Sequence, residues 1–337
     1  MSLSEDNLAS LSVAVERIPQ NKLKGHIEIA RLDHWVKNIS VLPGIAAALA
    51  FGRISCTAGL VRASIWALLA TGLIASSNYV LNELMDAPFD RYHPTKCTRP
   101  VPSGRISIPV AYVEWIILAA LGLTIARALS GPLMLALVGL WGMGCVYNVP
   151  PVRTKDIPYL DVLTEAVNNP LRLLIGWFVI SPNSFPPLFL LLSYWMVGCY
   201  AMALKRYAEH LQLRSEDRRA RYRKSLAFFS ASGLLVSIMF YATTSMLLFG
   251  AFLISHRLEL VLTFPAIALV MAVYLSLAFK PDSAVEHPEK LYREPKLMLA
   301  LGGCIIVMIL CIRVDMPKLH RALFPSGEVE RLNVTTR

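Results

Sequence analysis

Apolar runs too long for any soluble fold decide what this chain can become. Leu133 to Val146 carries no charge at all, and Leu258 to Phe279 carries only Glu259. A helix needs about 20 mostly apolar residues to cross a bilayer. Nine segments meet that need: 35–52, 63–85, 107–129, 131–148, 160–181, 185–204, 225–249, 258–279 and 297–315. Of the 337 residues, 55% are hydrophobic and 17% charged, whereas soluble domains carry about 25% charged residues. That balance excludes a disordered chain, a secreted disulfide scaffold and an ordinary soluble enzyme. The expected fold is an all-α integral membrane protein, a bundle of nine transmembrane helices. Residues 1–34 are expected as a cytoplasmic segment in which 21–34, mixing basic and apolar residues, forms an interfacial helix. The transmembrane domain would then be 35–315, and 316–337 a tail.

Lys and Arg number 33 against 23 Asp and Glu, a formal net charge of +10. In a membrane protein that excess meets anionic lipid headgroups rather than nucleic acid. The cations gather in the N-terminal segment (Arg17, Lys22, Lys24, Arg31, Lys37) and in the loops 85–106, 149–159, 205–224 and 280–296. Opposite loops hold Arg53, Arg62, Arg127 and Arg257. The positive-inside rule puts the N-terminus and the rich loops in the cytoplasm, and an odd number of spans puts the C-terminus outside. The expected location is a bacterial inner membrane. No cleavable signal peptide is expected in the polar first thirty residues. The six cysteines show no C-x-x-C pair, so they read as small buried hydrophobes.

An ionisable group inside a span costs about 2.5–3.5 kcal/mol and is a functional hypothesis by default. Asn78, Asn82 and Asp86 recur every four residues with Glu83 beside them, which puts the three on one helix face. Pro88 is expected to end the helix, leaving Asp90 where the chain leaves the membrane. A basic stretch follows: Arg91, His93, Lys96, Arg99 and Arg105. Carboxylates followed by cations suit a magnesium–diphosphate complex. Mg²⁺ takes hard oxygens from one or two carboxylates plus substrate phosphates, and Arg and Lys neutralise the remaining phosphate charge. The plainer alternative is an acid-capped helix end before a positive-inside loop.

The fifth span carries Asp161, Glu165, Asn168 and Arg172 at offsets 0, 4, 7 and 11, a single helical stripe. Such a stripe faces the bundle interior or a wet cavity; alternatively Glu165 and Arg172 form an ion pair that glues helices together. Upstream, Tyr147, Arg153 and Lys155 add a phenol and two cations. Lys205 and Arg206 close the sixth span, as many stop-transfer boundaries do. Neither a Ser-His-Asp nor a Cys-His arrangement appears, nor a Walker-type loop, nor zinc spacing. Nucleophilic catalysis by the protein has little support.

The segment N-E-L-M-D-A-P-F-D-R-Y-H-P-T-K-C-T-R-P-V-P-S-G-R-I-S (82–107) resembles the first aspartate-rich motif of the UbiA superfamily of intramembrane prenyltransferases. Its usual form there is N-D-x-x-D-x-x-x-D followed by R-P-x-x-x-G. H-P-T-K (93–96), W-V-K-N (35–38), K-R-Y-A-E (205–209) and R-K-S-L (223–226) are similar to the polyprenyl-phosphate phosphoribosyltransferase branch. The similar segments cover about 31–226. The resemblance implies nine spans and a cytoplasmic active site. Asn82, Asp86 and Asp90 would organise Mg²⁺ and the donor diphosphate. Lys37, Arg91, Lys96, Arg99, Lys205 and Arg206 would contact phosphate, with Asn38 beside Lys37. Asp161 and Lys155 fall where the superfamily places its second polar motif. Two departures stand out: Glu83 replaces the usual Asp, and 147–161 differs from the usual Y-S-x-x-L-K pattern.

The implied reaction is Mg²⁺-dependent transfer of phosphoribose from phosphoribosyl diphosphate to a polyprenyl phosphate. It would make a lipid-linked pentose for cell-envelope glycans. One alternative keeps the fold and moves a prenyl group from prenyl diphosphate to an aromatic or other small acceptor. Another, from a different class, is a lipid or ion transporter built around the same polar stripe; internal repeats and broken helices in matched positions would mark it, and the sequence shows neither.

Overall fold

The computed structural model describes residues 22–91, 96–213, 224–280, 283–286, 288–317 and 319. His93 with its Pro94-Thr95 neighbours, the basic run 214–223 and most of the expected tail lie outside the described residues. Among the described residues every regular element is a helix. In chain order the α-helices are α1 (Lys22–Ile29), α2 (Leu42–Phe51), α3 (Ala58–Asp90), α4 (Ile108–Leu129), α5 (Gly131–Asn148), α6 (Leu160–Ala166) and α7 (Asn168–Ile180). They continue with α8 (Leu188–Gln212), α9 (Ala231–His256), α10 (Phe264–Ala278) and α11 (Pro295–Arg313). Short 3₁₀ segments join them, the longest at Leu32–Val41.

Among the described residues, seven helical stretches are long and apolar enough to cross a membrane: α3, α4, α5, α8, α9, Leu258–Ala278 and α11. The protein is an integral membrane protein. The expected first and fifth spans are not single helices. Residues 35–52 divide into the 3₁₀ segment and α2, whose first turn accommodates Pro43, a position where a proline's missing N–H costs nothing. The fifth span breaks at Val167, between α6 and α7. Pro170 gives the reason: it has no N–H to offer the Ala166 carbonyl four residues back, and its ring crowds that group. The stripe from Asp161 to Arg172 is therefore shared by two helices.

Pro88 does the opposite of what was expected. It lies inside α3, which runs on to Asp90. A proline forfeits the bond to the residue four before it but leaves later ones intact, and the Arg91 N–H still reaches the Ala87 carbonyl at 3.2 Å.

The chain forms two compact units, residues 1–186 with 213–230 and residues 187–212 with 231–337. In the first, α3, α4 and α5 pack around an apolar core with Ile74, Ala126, Leu137 and Leu140 fully or almost fully buried. Two glycines set the approach of α2 to α7. A Cβ on Gly176 would collide with the Val41 carbonyl and lie 2.8 Å from the Ile45 nitrogen, and one on Gly44 would collide with the Leu173 carbonyl. Backbones touch here, as small residues permit in membrane interiors. Trp35 lies flat on Gly72 of α3. Its indole N–H donates to Ser76 Oγ at 2.9 Å, and Ser76 donates to the Ala30 carbonyl at 2.7 Å. These bonds tie the 3₁₀ segment to α3.

In the second unit α8 packs along α9, with Ser193 donating to the Ser245 carbonyl at 3.1 Å. Tyr200 donates to the Met271 carbonyl at 2.6 Å. An apolar cavity of about 830 Å³ lies among Tyr200, Met239, Met246, Phe264 and Met271.

Candidate active site

The last turns of α3 carry Asn82, Asp86 and Asp90, and each meets its own partners. Asp86 Oδ1 accepts from Lys155 Nζ and, at 2.9 Å, from Arg153 Nη2. Asp90 Oδ2 accepts from Arg99 Nη1 at 2.6 Å, while Lys96 Nζ stands 3.9 Å from Oδ1. Asn82 donates to Asn148 Oδ1 at 2.6 Å, and Lys155 donates to that same oxygen at 2.9 Å. Asn82, Asn148, Lys155, Asp86 and Arg153 thus form one continuous polar chain. Arg153 extends it, donating through Nε to Asp156 at 3.1 Å and through Nη1 to the Asn148 carbonyl at 3.1 Å, its guanidinium over the Phe89 ring.

Local structure explains these positions. Asn148 is the last residue of α5. The turn after it, with a cis Pro150–Pro151 bond, folds back so that Arg153 and Lys155 face α3. Lys155 is only 4% exposed, which is tolerable for an ammonium because Asp86 and Asn148 accept its hydrogen bonds. Asn148 and Asp156 were not singled out from the sequence. Asn148 merely follows Tyr147, and its role depends on a fold-back that no local pattern announces. Tyr147 itself is buried at the end of α5.

Glu83 faces away from this chain. It is 1% exposed, accepting from Arg31 Nη2 at 3.1 Å and from the Val101 N–H at 3.0 Å. It therefore clasps the N-terminal segment and the 96–105 loop to α3. The loop is fastened again where Arg105 donates to Glu28 at 2.6 Å and to the Thr98 carbonyl at 2.8 Å. His26 on α1 bonds Glu114 at 2.9 Å. So α1 holds down the loop that carries Lys96 and Arg99, while its Leu23 and Ile27 remain exposed.

The remaining expected residues are scattered. Arg91 is exposed at the end of α3. Lys37 stands 3.3 Å from His34 Nδ1 within the 3₁₀ segment. Asn78 donates to the Leu140 carbonyl at 2.9 Å, in space left by Gly144. Asp161 is fully buried, accepting from Ser225 Oγ at 3.1 Å; that bond anchors the turn after the 214–223 run. Glu165 and Arg172 form no ion pair, so the helix-glue alternative fails. In the second unit Arg206 is 1% exposed and paired with Glu209 at 2.7 Å, so its charge is already answered there. Lys205 is half-buried one residue before it.

The sequence matches the UbiA prenyltransferase family over residues 39–301. The chain belongs to that family. It is a membrane transferase. It is 30% identical over 238 residues to the decaprenyl-phosphate phosphoribosyltransferase of Mycobacterium tuberculosis, covering 70% of this chain and 76% of that one. It is 28% identical to the uncharacterized protein y4nM of Sinorhizobium fredii, a match covering 62% of this chain but 39% of that protein's length. Among solved structures, a UbiA homolog from Archaeoglobus fulgidus bound to GPP and Mg²⁺ shares the fold at TM-score 0.64 and 20% identity, covering 84% of this chain and 99% of that one.

The UbiA fold raises the question of Mg²⁺, and the residues can be tested against it. Among the described residues no three His, Cys, Asp or Glu side chains converge to hold a metal ion unaided. The chemistry at the end of α3 nevertheless fits. Its donors are hard oxygens, and two carboxylates are the usual protein share of a magnesium–phosphate complex. Those two carboxylates meet four cations, Arg153, Lys155, Arg99 and Lys96. The positive surplus means a divalent ion is matched only when a polyanion arrives with it.

Proposed function

We propose that this chain transfers phosphoribose from phosphoribosyl diphosphate to a polyprenyl phosphate at the cytoplasmic face of a bacterial inner membrane. The observation that carries the reading is the four-cation, two-carboxylate arrangement at the end of α3. It suits a donor that brings a diphosphate and a 5-phosphate together. The likeness to the mycobacterial phosphoribosyltransferase supports the same branch, and the one-sided basic loops support the orientation.

When bound, Mg²⁺ would supply charge neutralisation on the diphosphate, with Asp86, Asp90 and Asn82 as the residues to hold it. Arg153 and Lys155 hold the diphosphate from the α5–α6 turn, and Arg99 and Lys96 from the loop after α3. Those cations stabilise the charge that grows on the leaving group. A phosphate oxygen of the lipid attacks the anomeric carbon, a new C–O bond forms, and the bond to diphosphate breaks with its electron pair leaving on the diphosphate. The attacking oxygen is already ionised, so no strong base is required. Glu83 and Asp161 act at one remove, fixing the 96–105 loop and the turn at Ser225.

A second reading is prenyl transfer from a prenyl diphosphate, favoured by the GPP and Mg²⁺ held by the Archaeoglobus homolog. Membranes given labelled phosphoribosyl diphosphate and a polyprenyl phosphate decide between the two. Label in the lipid fraction supports phosphoribosyl transfer. Prenylation of an added aromatic acid, with no label in lipid, supports the other.

A further inference from the structure

On α6 and α7 the side chains of Glu165, Asn168, Asn169 and Arg172 have no hydrogen-bond or ion-pair partner among the described residues. Arg172 Nε and Asn168 Oδ1 are buried and unbonded. A guanidinium is charged at every accessible pH and carries five donors, and leaving it unmatched in a membrane interior is costly. Glu165 does not match it, standing seven residues back, about 10 Å of helix rise.

Register places a further orphan nearby. Asn168, Arg172 and Gly176 succeed one another at four-residue spacing on one face of α7, and Gly176 meets Val41. Asn38, 5% exposed with Oδ1 buried and unbonded, sits one 3₁₀ turn before Val41. Arg172 and Asn38 thus flank the same crossing. Both lie on the side toward the candidate site, since α7 leads back through α6 to Lys155, and the 3₁₀ segment leads back to Arg31 and Glu83.

We propose that Arg172, with Asn38 and Asn168, forms a second anion subsite deeper in the first unit, which takes the phosphate-monoester head of the lipid acceptor. The inference rests on the phosphoribosyl-transfer reading and assigns its second substrate. The orphan groups select the chemistry. A guanidinium fork asks for two anionic oxygens on one centre, while two orphaned amide oxygens ask for a donor. A phosphate monoester carrying one proton offers both on a single group; a carboxylate offers acceptors alone. Two separate anion subsites also keep donor and acceptor phosphates from competing for the same cations.

The test uses the full-length protein in nanodiscs, as wild type, Arg172→Gln, Arg172→Lys and Asn168→Ala. The expected result is that Arg172→Gln raises KM for polyprenyl phosphate by about tenfold or more, the loss of a charged hydrogen bond. KM for phosphoribosyl diphosphate stays within twofold of wild type, and Arg172→Lys recovers part of the loss. Independently of turnover, farnesyl phosphate raises the Tm of the wild type, farnesol does not, and the shift disappears in Arg172→Gln. If Arg172→Gln does not fold, a smaller shift in Arg172→Lys and Asn168→Ala carries the proposal. An unchanged lipid KM and an unchanged shift in the variants overturn it, as does stabilisation of the wild type by 4-hydroxybenzoate in place of farnesyl phosphate. Failure of the wild type to move label from phosphoribosyl diphosphate sinks the reaction assigned above, while the thermal shifts still judge the subsite.

Discussion

Asp86 and Glu83, three residues apart on α3, face different partners and divide the helix's labour. Asp86 meets Lys155 and Arg153, the cations assigned to the donor. Asp86→Asn keeps the shape and removes the charge, so turnover is expected to fall by more than about 100-fold with the folded fraction of purified protein unchanged. Steady-state rates beside a thermal unfolding curve check both halves. Glu83 instead spans Arg31 and Val101, and its extra methylene relative to Asp lets one carboxylate satisfy both. Glu83→Ala strands a half-buried guanidinium, and the expected cost is about 3–5 kcal/mol, read as a lowered Tm. Glu83→Gln preserves the Val101 contact but not the charge. It is expected to raise KM for the donor more than it lowers kcat, because the loop bearing Lys96 and Arg99 loosens.

At the level of elements, the contact between α2 and α7 is the one most sensitive to a single atom. A methyl group on Gly176 has nowhere to go but into the Val41 carbonyl. Gly176→Ala is expected to destabilise by about 1–3 kcal/mol, measurable as a lower midpoint of thermal aggregation in detergent. The same change at Gly131, whose added methyl would meet nothing within 4 Å, is expected to leave that midpoint alone. The break at Val167 belongs to this scale too. It lets Asp161 turn toward Ser225 on α6 while Asn168 and Arg172 follow the separate course of α7. One continuous helix would have kept Asp161, Asn168 and Arg172, with Glu165, on one slowly drifting stripe.

For the whole molecule, two native cysteines report orientation without a fused reporter. Cys56 is exposed between α2 and α3, and Cys97 lies in the loop beside Lys96. If the basic loops are cytoplasmic, a membrane-impermeant maleimide added to intact cells labels Cys56 and spares Cys97. The reverse pattern overturns the orientation. Metal removal tests the donor site at the same scale. EDTA is expected to abolish turnover and Mg²⁺ to restore it, while helical circular dichroism stays constant, because the carboxylates are already matched by Arg153, Lys155, Arg99 and Lys96 when no metal is present.

The membrane character, the helical architecture, the family and the residues of the 82–90 motif could all be read from the chain alone. Each depends on local quantities: the length of apolar runs, four-residue spacing, a motif contiguous in sequence. Spacing also put Asn78, Asn82 and Asp86 on one helix face, but it left Asp90 beyond a helix end that the structure does not have. It could not say that Glu83 turns away to clasp Arg31, that Asn148 bridges Asn82 and Lys155, or that Pro170 breaks a helix while Pro88 does not. Those outcomes depend on which groups the fold brings from far along the chain. A buried carboxylate goes to whichever donor is near enough to offset its desolvation, and only the packed helices decide which donor that is.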